Sequence, residues 1–292
     1  MALTRSQVPP RPPSLFETIL EMAPEVYTTE GGVVVYRRSA ELGTTDVVEE
    51  LIDRLDSHRG ALFASSYEYP GRYTRWDLGF CDPPVVLTTS GRRFTVEALN
   101  ARGRVLLAPI RAHLAALTHV ANLQSPDADH ISGQVHAAAE RFPEEERSKQ
   151  PSVFSVVRGI IQLFFNDNET ILGLYGAFGY DLCFQFEATK MRRPRPDDQR
   201  DMVLYIPDRV LQVDHALQKA WKHEFDFELA DGSSTAALKR EGPATPFVGS
   251  DQVPVKEDHG PGEYAAKVVM MMMTMMMKKI SNRTGRKAGQ ER

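Results

Sequence analysis

The residues best suited to hold a small molecule lie in one short segment. Ser65 and Ser66 follow an apolar run, and Arg72 and Tyr73 come a few positions later. Hydroxyls beside a guanidinium can bind a carboxylate, because arginine pairs with both carboxylate oxygens. The same composition is typical of a surface loop whose serines bond to backbone groups and whose arginine forms an exposed ion pair. The residue types alone leave both interpretations open.

Two other groups of residues resemble binding motifs. Gly173, Gly176 and Gly179 form G-x-x-G-x-x-G, but a phosphate cradle needs a turn at a helix N-terminus, and the first two glycines lie in a predicted strand. Close approach of a packed neighbour is the favoured role. His130 and His136 are the nearest histidine pair, and no carboxylate or cysteine at ligand spacing accompanies them. We therefore predict no metal site.

Catalytic motifs are missing from the sequence as well. Cys81 and Cys183 lie in no C-x-x-C or zinc spacing, which suits a reducing compartment. No G-x-S-x-G motif occurs, and no pattern singles out a general acid or base among the carboxylates. The residues taken alone therefore single out no catalytic residue.

The most unusual segment is MMMMTMMM, residues 270–277, which holds seven of the eleven methionines. A helix of this composition is apolar on every side and cannot select a buried face, whereas methionine surfaces are adaptable in binding. Residues 278–292 then carry six Lys and Arg side chains against one Glu. We expect 259–292 to be the interrupted start of a domain with a Met-rich basic tail, irregular or helical.

Composition bounds the remaining possibilities. The 292 residues are 42% hydrophobic and 25% charged, as in a folded globular protein. The net charge of −4 is not that of a nucleic-acid-binding protein. No run of 18 apolar residues and no signal peptide is visible. We expect a cytoplasmic protein that binds neither nucleic acid nor membrane.

The periodicity of apolar residues predicts an α+β fold, with antiparallel sheets and flanking helices. Helices are expected over 45–58 and 152–166, and a short one over 180–188. Strands are expected over 31–40, 61–66 and 171–177, with three more between 202 and 227. We further predict a hairpin over 84–99 that turns at Ser90-Gly91, a strand from Leu106 that becomes helix at Pro109, and a polar connection over 122–150.

Four segments give the chain a resemblance to a known family. In order they are LFASSYEYPGRYTRWDLGFCDPP (62–84), GLYGAFGYDLCFQFE (173–187), DMVLYIPDRVLQVDH (201–215) and DHGPGEYAAKV (258–268). They resemble the N-terminal region of anthranilate synthase component I, most of all the bacterial single-chain form that carries its glutamine amidotransferase in the same polypeptide. The resemblance covers roughly residues 30–269 and implies the fold type of that N-terminal domain.

The resemblance also implies a reaction. The family converts chorismate and glutamine-derived ammonia to anthranilate and pyruvate, with Mg²⁺, in the first committed step to tryptophan. Its catalytic region begins near residues 257–264 and does not continue here. We therefore expect chorismate and Mg²⁺ to bind the intact enzyme only, no cofactor to bind this fragment, and the isolated chain to be inactive.

A feedback site is the second implication of the resemblance. The family's Leu-Leu-Glu-Ser motif, which helps to hold tryptophan, matches residues 62–65, and Ser65 carries over as the tryptophan contact. Ala64 replaces the usual Glu, which puts recognition of the amine in question. Arg72 and Tyr73 belong to a GRYS-like motif, here GRYT, and are second candidates. The opposite Pro-Tyr-Met wall is absent, so weak binding of L-tryptophan is expected.

These inferences divide the chain into a disordered arm (1–28), the N-terminal domain (29–230), a linker (231–258) and the aborted domain start (259–292). Homo-oligomerisation is possible. Two alternatives to a synthase fragment stay open: a non-catalytic tryptophan-binding or interaction remnant, and a fragment of another chorismate-utilising enzyme.

Overall fold

The structure is a computed structural model that describes residues 14–17, 22–42, 46–64, 75–137, 143, 149–186, 195–196, 198–245 and 258–274. The chain divides into two compact units, 1–247 and 248–292, and each is described by itself.

The described part of the first unit contains twelve strands and three α-helices. The strands are β1 (Glu25–Thr28), β2 (Val34–Leu42), β3 (Gly60–Phe63), β4 (Trp76–Cys81), β5 (Val85–Ser90), β6 (Arg93–Ala98), β7 (Val120–Gln124), β8 (His130–Val135), β9 (Tyr175–Phe178), β10 (Met202–Ile206), β11 (Arg209–Asp214) and β12 (Lys219–Glu228). The helices are α1 (Asp46–Leu55), α2 (Ala101–Ala115) and α3 (Val153–Phe164), and a 3₁₀ helix spans Tyr180–Gln185.

The strands form two six-stranded sheets. Sheet 1 has the order β1-β2-β12-β11-β4-β3 and sheet 2 the order β7-β8-β6-β5-β10-β9. Neighbouring strands are antiparallel in both sheets. The α+β prediction is confirmed. Because β4 leads directly into β5, and β10 into β11, the chain passes between the sheets at two places.

Two hydrophobic clusters stabilise this arrangement. The larger one joins the apolar side of sheet 2 to α2, α3 and part of sheet 1, including Val210 and Phe225. The smaller one lies between α1 and sheet 1 and includes Leu51 and Leu211. Val210 and Leu211 are consecutive residues of β11, so they point to opposite sides of the strand and serve different clusters. Sheet 1 is therefore buried on both faces.

The hairpin over 84–99 is confirmed, but its turn is shifted by one residue. Ser90 pairs with Arg93, so the two loop residues are Gly91 and Arg92. Gly91 has φ of +57°, the left-handed conformation that such a turn needs and glycine adopts at little cost.

The prediction of a strand before Pro109 is wrong, because α2 runs through this segment from Ala101 to Ala115. Asn100 caps the helix by accepting a hydrogen bond from the Gly103 amide at 3.0 Å. Leu106, Ile110 and Leu114 are buried on one face. That burial outweighs the cost of an internal proline, about 3 kcal/mol.

Residues 122–150 are also different from the prediction of a polar connection. Strands β7 and β8 occupy its first part and form an edge of sheet 2. Ile131 and Val135 are only 1–2% exposed and join the larger core cluster. Two apolar residues among polar ones gave too weak a pattern for a strand, and pairing with β6 decided the structure.

The last part of the expected arm over 1–28 is structured. β1 pairs with β2 at the edge of sheet 1, and Leu15 is 1% exposed in the smaller core cluster. Strand 31–40 corresponds to β2, and the three strands between 202 and 227 correspond to β10, β11 and β12. The strand expected over 171–177 is shorter, because β9 begins at Tyr175.

The second unit contains a helix over 263–274, so the described part of the expected tail is helical. Its methionine side chains are 54–72% exposed from Met270 to Met273. Among the described residues, no helix combines the length and hydropathy needed to cross a membrane.

Candidate functional site

The segment predicted to contact tryptophan begins at the end of β3. Leu62 and Phe63 are the last two residues of this strand, and Ala64 follows with an exposed side chain. Ser65, Arg72 and Tyr73 lie outside the described residues, so their roles stay predictions. The structure therefore describes the side chains around the end of β3, where the chain leads toward the predicted site.

An aromatic cluster lies at the end of β3, next to the predicted site. Its members are Phe63, Phe80, Tyr175 and Tyr205. The Phe63 ring lies 6.4 Å from the rings of both Phe80 and Tyr175, centroid to centroid. Phe80 lies 6.0 Å from Tyr175 and 5.7 Å from Tyr205. The four rings come from β3, β4, β9 and β10, so the cluster joins sheet 1 to sheet 2.

Tyr175 has a fixed orientation within the cluster. Its hydroxyl donates a hydrogen bond to the carbonyl oxygen of Ile171. Burial, together with the negative charge of Glu169, raises the pKa of Tyr175 to about 12. The phenol is therefore neutral at physiological pH, and it presents an uncharged ring to the rest of the cluster.

Phe63 is the most exposed member of the cluster, and Tyr175 and Tyr205 are of intermediate exposure. Phe63 is 38% exposed, whereas Phe80 is 2% exposed. Aromatic rings favour offset or edge-on contacts with other rings at centroid distances of about 4.5–7 Å. The exposed part of Phe63 can therefore contact a planar apolar ligand next to the position from which the chain continues to Ser65.

Sequence reasoning did not find Phe80, Tyr175 or Tyr205 as possible site residues. They lie in three separated segments, and no spacing links them to Phe63. Phe80, Tyr175 and Tyr205 do lie within three of the four segments that carry the family resemblance, which was the only available indication.

A group of polar side chains lies on sheet 1 around His223, which is 5% exposed. Arg37 Nη2 lies 3.3 Å and Ser39 Oγ 2.8 Å from Nδ1 of His223, and Gln212 Oε1 lies 3.0 Å from its Nε2. Because the arginine can only donate, Nδ1 accepts and Nε2 carries the proton. Both ring nitrogens are thus satisfied in the neutral form.

Burial and the adjacent positive charge of Arg37 lower the pKa of His223 to about 4. Glu169 opposes this shift weakly, since it also accepts hydrogen bonds from Tyr27 at 2.9 Å and Arg37 at 3.5 Å. Burial, with the charge and hydrogen bond of Glu169, raises the pKa of Tyr27. A neutral, fully bonded imidazole of this kind stabilises the sheet and is no proton donor near neutral pH.

A buried arginine network connects α2 to sheet 1. Its members are Arg102, Arg240, Asp208 and Asp226, each at most 6% exposed. Arg102 bonds to Asp208 through Nε and to Asp226 through Nη2 at 2.8 Å. Arg240 lies 3.1 Å from Asp208 and 2.7 Å from Asp226. Two buried cations thus face two buried anions, which balances the charge.

The pKa of Asp226 reflects this balance. Burial alone would raise it, but Arg240, Arg102 and Arg38 together hold the pKa below its usual value. Arg102 also donates to the carbonyl oxygens of Thr235 and Leu238, which lie in the first part of the predicted linker. The segment after β12 is thereby attached to α2, and the network has a structural role.

The three glycines of G-x-x-G-x-x-G have different roles. A Cβ at Gly176 would lie 1.9 Å from the Val203 carbonyl oxygen, and one at Gly179 would lie 2.8 Å from that of Asp201. At Gly173 the nearest atom would be 3.8 Å away, an ordinary contact. The prediction of close backbone approach for the two strand glycines is confirmed for Gly176 and wrong for Gly173, and Gly179 also has a close backbone neighbour.

Comparison with known proteins identifies the family. The chain is 42% identical over 243 residues to the anthranilate synthase of Azospirillum brasilense, an alignment that covers 83% of this chain and 33% of that protein. No family model matches the chain. This chain is an anthranilate synthase component I-like protein. It spans about a third of the length of the curated relative.

The resemblance of this component I-like chain to the family implies Mg²⁺ for the intact enzyme, so possible metal ligands among its residues are of interest. Among the described residues, no group of three or more His, Cys, Asp and Glu side chains is placed to hold a metal ion. His130 lies 2.8 Å from Asp127 in a surface ion pair without a third ligand. We therefore assign no Mg²⁺ ligand within these ranges and derive no chemical step through the ion.

Proposed function

We propose that this chain is the N-terminal, regulatory part of an anthranilate synthase of the single-chain type. The complete enzyme would convert chorismate and glutamine to anthranilate, pyruvate and glutamate, the first committed step of tryptophan biosynthesis, with Mg²⁺. The observation that carries the proposal is the 42% identity to an anthranilate synthase across 83% of the chain. The chain would act in the cytoplasm, and it has the fold of the component I N-terminal domain.

The isolated chain has no synthase activity in this proposal. It spans a third of the relative's length, and two structural observations agree with a larger parent. Ile161 and Phe165 at the end of α3 are 47% and 41% exposed, and Phe178 in the edge strand β9 is 57% exposed. Such apolar surface is typical of a face that further polypeptide covers.

An ammonia-dependent assay tests this part of the proposal. Purified chain is incubated with chorismate, ammonium and Mg²⁺, and anthranilate is detected by its fluorescence. We expect no signal above the buffer control, while a complete anthranilate synthase gives turnover under the same conditions. Turnover by the isolated chain would show that its catalytic residues are present and would contradict the proposal.

The chain keeps part of a tryptophan feedback site in this proposal. Ser65 supplies a hydroxyl, with Arg72 and Tyr73 as further candidates, and the aromatic cluster supplies an apolar wall beside them. Half of a shared pocket binds weakly, so the dissociation constant lies in the millimolar range, about −4 kcal/mol.

Calorimetry with L-tryptophan tests the feedback site. We expect weak binding that Ser65→Ala abolishes, and Ser66→Ala, its neighbour of the same type, serves as the control. Equal loss in both variants would show a general effect on the loop. If tryptophan binds while the parent enzyme proves to be no anthranilate synthase, the chain is a tryptophan-binding module, the alternative that the aromatic cluster favours.

A further inference from the structure

The methionine block in the helix over 263–274 has no role in the proposed synthase function. Met270, Met271, Met272 and Met273 are 72%, 54%, 59% and 58% exposed. Methionine is normally among the most buried side chains. Four consecutive solvent-facing thioethers therefore need an explanation other than core packing.

A docking surface is a poor explanation for the block. Consecutive helical residues point in directions about 100° apart, so these four side chains surround the helix. One partner surface can cover a single stripe, and it would leave the others in water. The exposure of all four side chains agrees with this geometry, because no side of the helix is buried at these positions.

The donor atoms point to a different ligand. Thioether sulfur is a soft, uncharged ligand that favours Cu(I) among the biological metals, whereas Mg²⁺ and Ca²⁺ need oxygen ligands. The sequence from 270 to 277 contains no His, Cys, Asp or Glu, so no harder ligand competes within the block. Neutral ligands also suit a monovalent ion, because they cannot compensate the charge of a divalent one.

Among the described methionines of the block, helical spacing places one pair of thioethers on a shared face. Met270 and Met273 stand at i and i+3 and share a face, with Cβ atoms about 5–6 Å apart. Met271 and Met272 are adjacent and point apart. The helical conformation continues through this pair, since Thr274 Oγ1 donates to the Met270 carbonyl oxygen at 2.8 Å. Two flexible thioether side chains on one face can converge on one ion.

We propose that Met270 and Met273 form a surface site for a soft monovalent cation, Cu(I), with Ag(I) as a close chemical analogue. Binding is coordination only, with no change of oxidation state. The site is independent of the synthase assignment, because it uses no residue of the tryptophan site.

Competition with a chromogenic Cu(I) chelator under anaerobic conditions tests the site on the full chain. Cys81 and Cys183 are free thiols that also bind Cu(I), so every protein carries Cys81→Ala and Cys183→Ser. In this background we expect one Cu(I) to bind. The double substitution Met270→Leu with Met273→Leu weakens binding about tenfold or more, the loss typical of a disrupted metal site.

The matched control is Met271→Leu with Met272→Leu, which removes the same number of thioethers from positions that share no face. Leucine forms helix as well as methionine does, so circular dichroism should not change. We expect the control to bind Cu(I) within about twofold of the background protein. Equal loss in both pairs, or no binding by the thiol-free background, would overturn the proposal.

A second readout is the NMR signal of methyl-labelled methionines during titration with Ag(I). We expect the Met270 and Met273 methyl signals to shift together and saturate at one equivalent. Shifts spread over all methionines without saturation would identify nonspecific association and also overturn the site.

Discussion

The buried arginine network and the aromatic cluster both connect separate elements of the first unit, but by opposite means. The network joins α2 to sheet 1 through charges that are at most 6% exposed. The cluster joins sheet 1 to sheet 2 through rings, one of which, Phe63, is 38% exposed. The first has no contact with solvent that a ligand could use, whereas the second has an open edge beside the predicted site.

This difference indicates which side chains mainly stabilise the fold and which are available to bind a ligand. Buried charges must all be paired, so a change to one of them leaves its partners without compensation. A ring at the surface loses only part of its contact area when it is changed. We therefore expect substitutions in the network to act on folding and those at the exposed edge of the cluster to act on binding.

The largest effect is expected for Arg102→Leu. Asp208 and Asp226 would lose a buried partner, which costs about 3–5 kcal/mol of unfolding free energy. Urea denaturation measures this loss. Arg104→Leu on the same helix is the control, because Arg104 pairs with Asp129 at the surface with a side chain 58% exposed, and such pairs contribute about 0–1 kcal/mol. A similar small loss in both variants would show that the network is not the main connection.

The pH dependence of the unfolding free energy tests the contribution of the buried group around His223. The folded-state pKa of His223 is about 4, below its ordinary 6.5, so the unfolded state binds more protons between these values. Stability is therefore complete above pH 6.5 and decreases as the pH falls toward 4, by about 3 kcal/mol in total. Urea denaturation across this range, compared between wild type and His223→Gln, isolates the contribution.

His130→Gln provides the matched control for the titration, because it makes the same substitution at a side chain that is 37% exposed. A slope that is lost in His223→Gln and retained in this control would assign the effect to the buried imidazole. A wild-type slope that persists unchanged in His223→Gln would assign the effect to other groups.

Gly176→Ala tests the backbone that holds the aromatic cluster. The added Cβ would meet the Val203 carbonyl oxygen at 1.9 Å, so β9 and β10 must separate, at a cost of about 1–3 kcal/mol. Gly173→Ala adds the same atom where the nearest neighbour is 3.8 Å away and should leave the melting temperature almost unchanged. Equal effects of the two changes would mean that β9 is not fixed at this point.

The smallest effect on stability is expected for Phe63→Ala, which changes the open edge of the cluster. The ring is partly exposed, so unfolding free energy should fall by about 1–2 kcal/mol. Tryptophan binding should be lost in calorimetry, since the apolar wall next to Ser65 is removed. Retained binding would show that tryptophan contacts another surface, and that the exposed edge of the aromatic cluster has no role in binding.

The outcome for individual segments shows which patterns the sequence carries. α1 and α3 were predicted because an apolar face repeats at helical spacing over three turns. β7, β8 and β1 were missed because these short strands hold few apolar residues, and α2 was misread because Pro109 suggested a helix start. β8 pairs with β6 and α2 packs against α3, so a distant segment overrode the local preference there. β1 and β7 are instead held by pairing with the next strand along the chain.

The residues of the candidate site also fall into those that the sequence predicts and those that only the structure brings together. Ser65, Arg72 and Tyr73 are predicted from the order of family motifs, which local sequence preserves, and their roles stay predictions. Phe80, Tyr175 and Tyr205 could not be associated with Phe63, because the ring contacts join residues up to 125 positions apart, from Phe80 of β4 to Tyr205 of β10.

The amino-acid sequence by itself determined the α+β class, helices α1 and α3 and the family, because each depends on local periodicity or on ordered motifs. Only the tertiary structure decided which rings meet beside β3 and which charges Arg102 and Arg240 neutralise. The rings meet where sheet 1 packs against sheet 2, and the charges meet where α2 packs against sheet 1. A linear pattern does not record which distant side chains share a buried space.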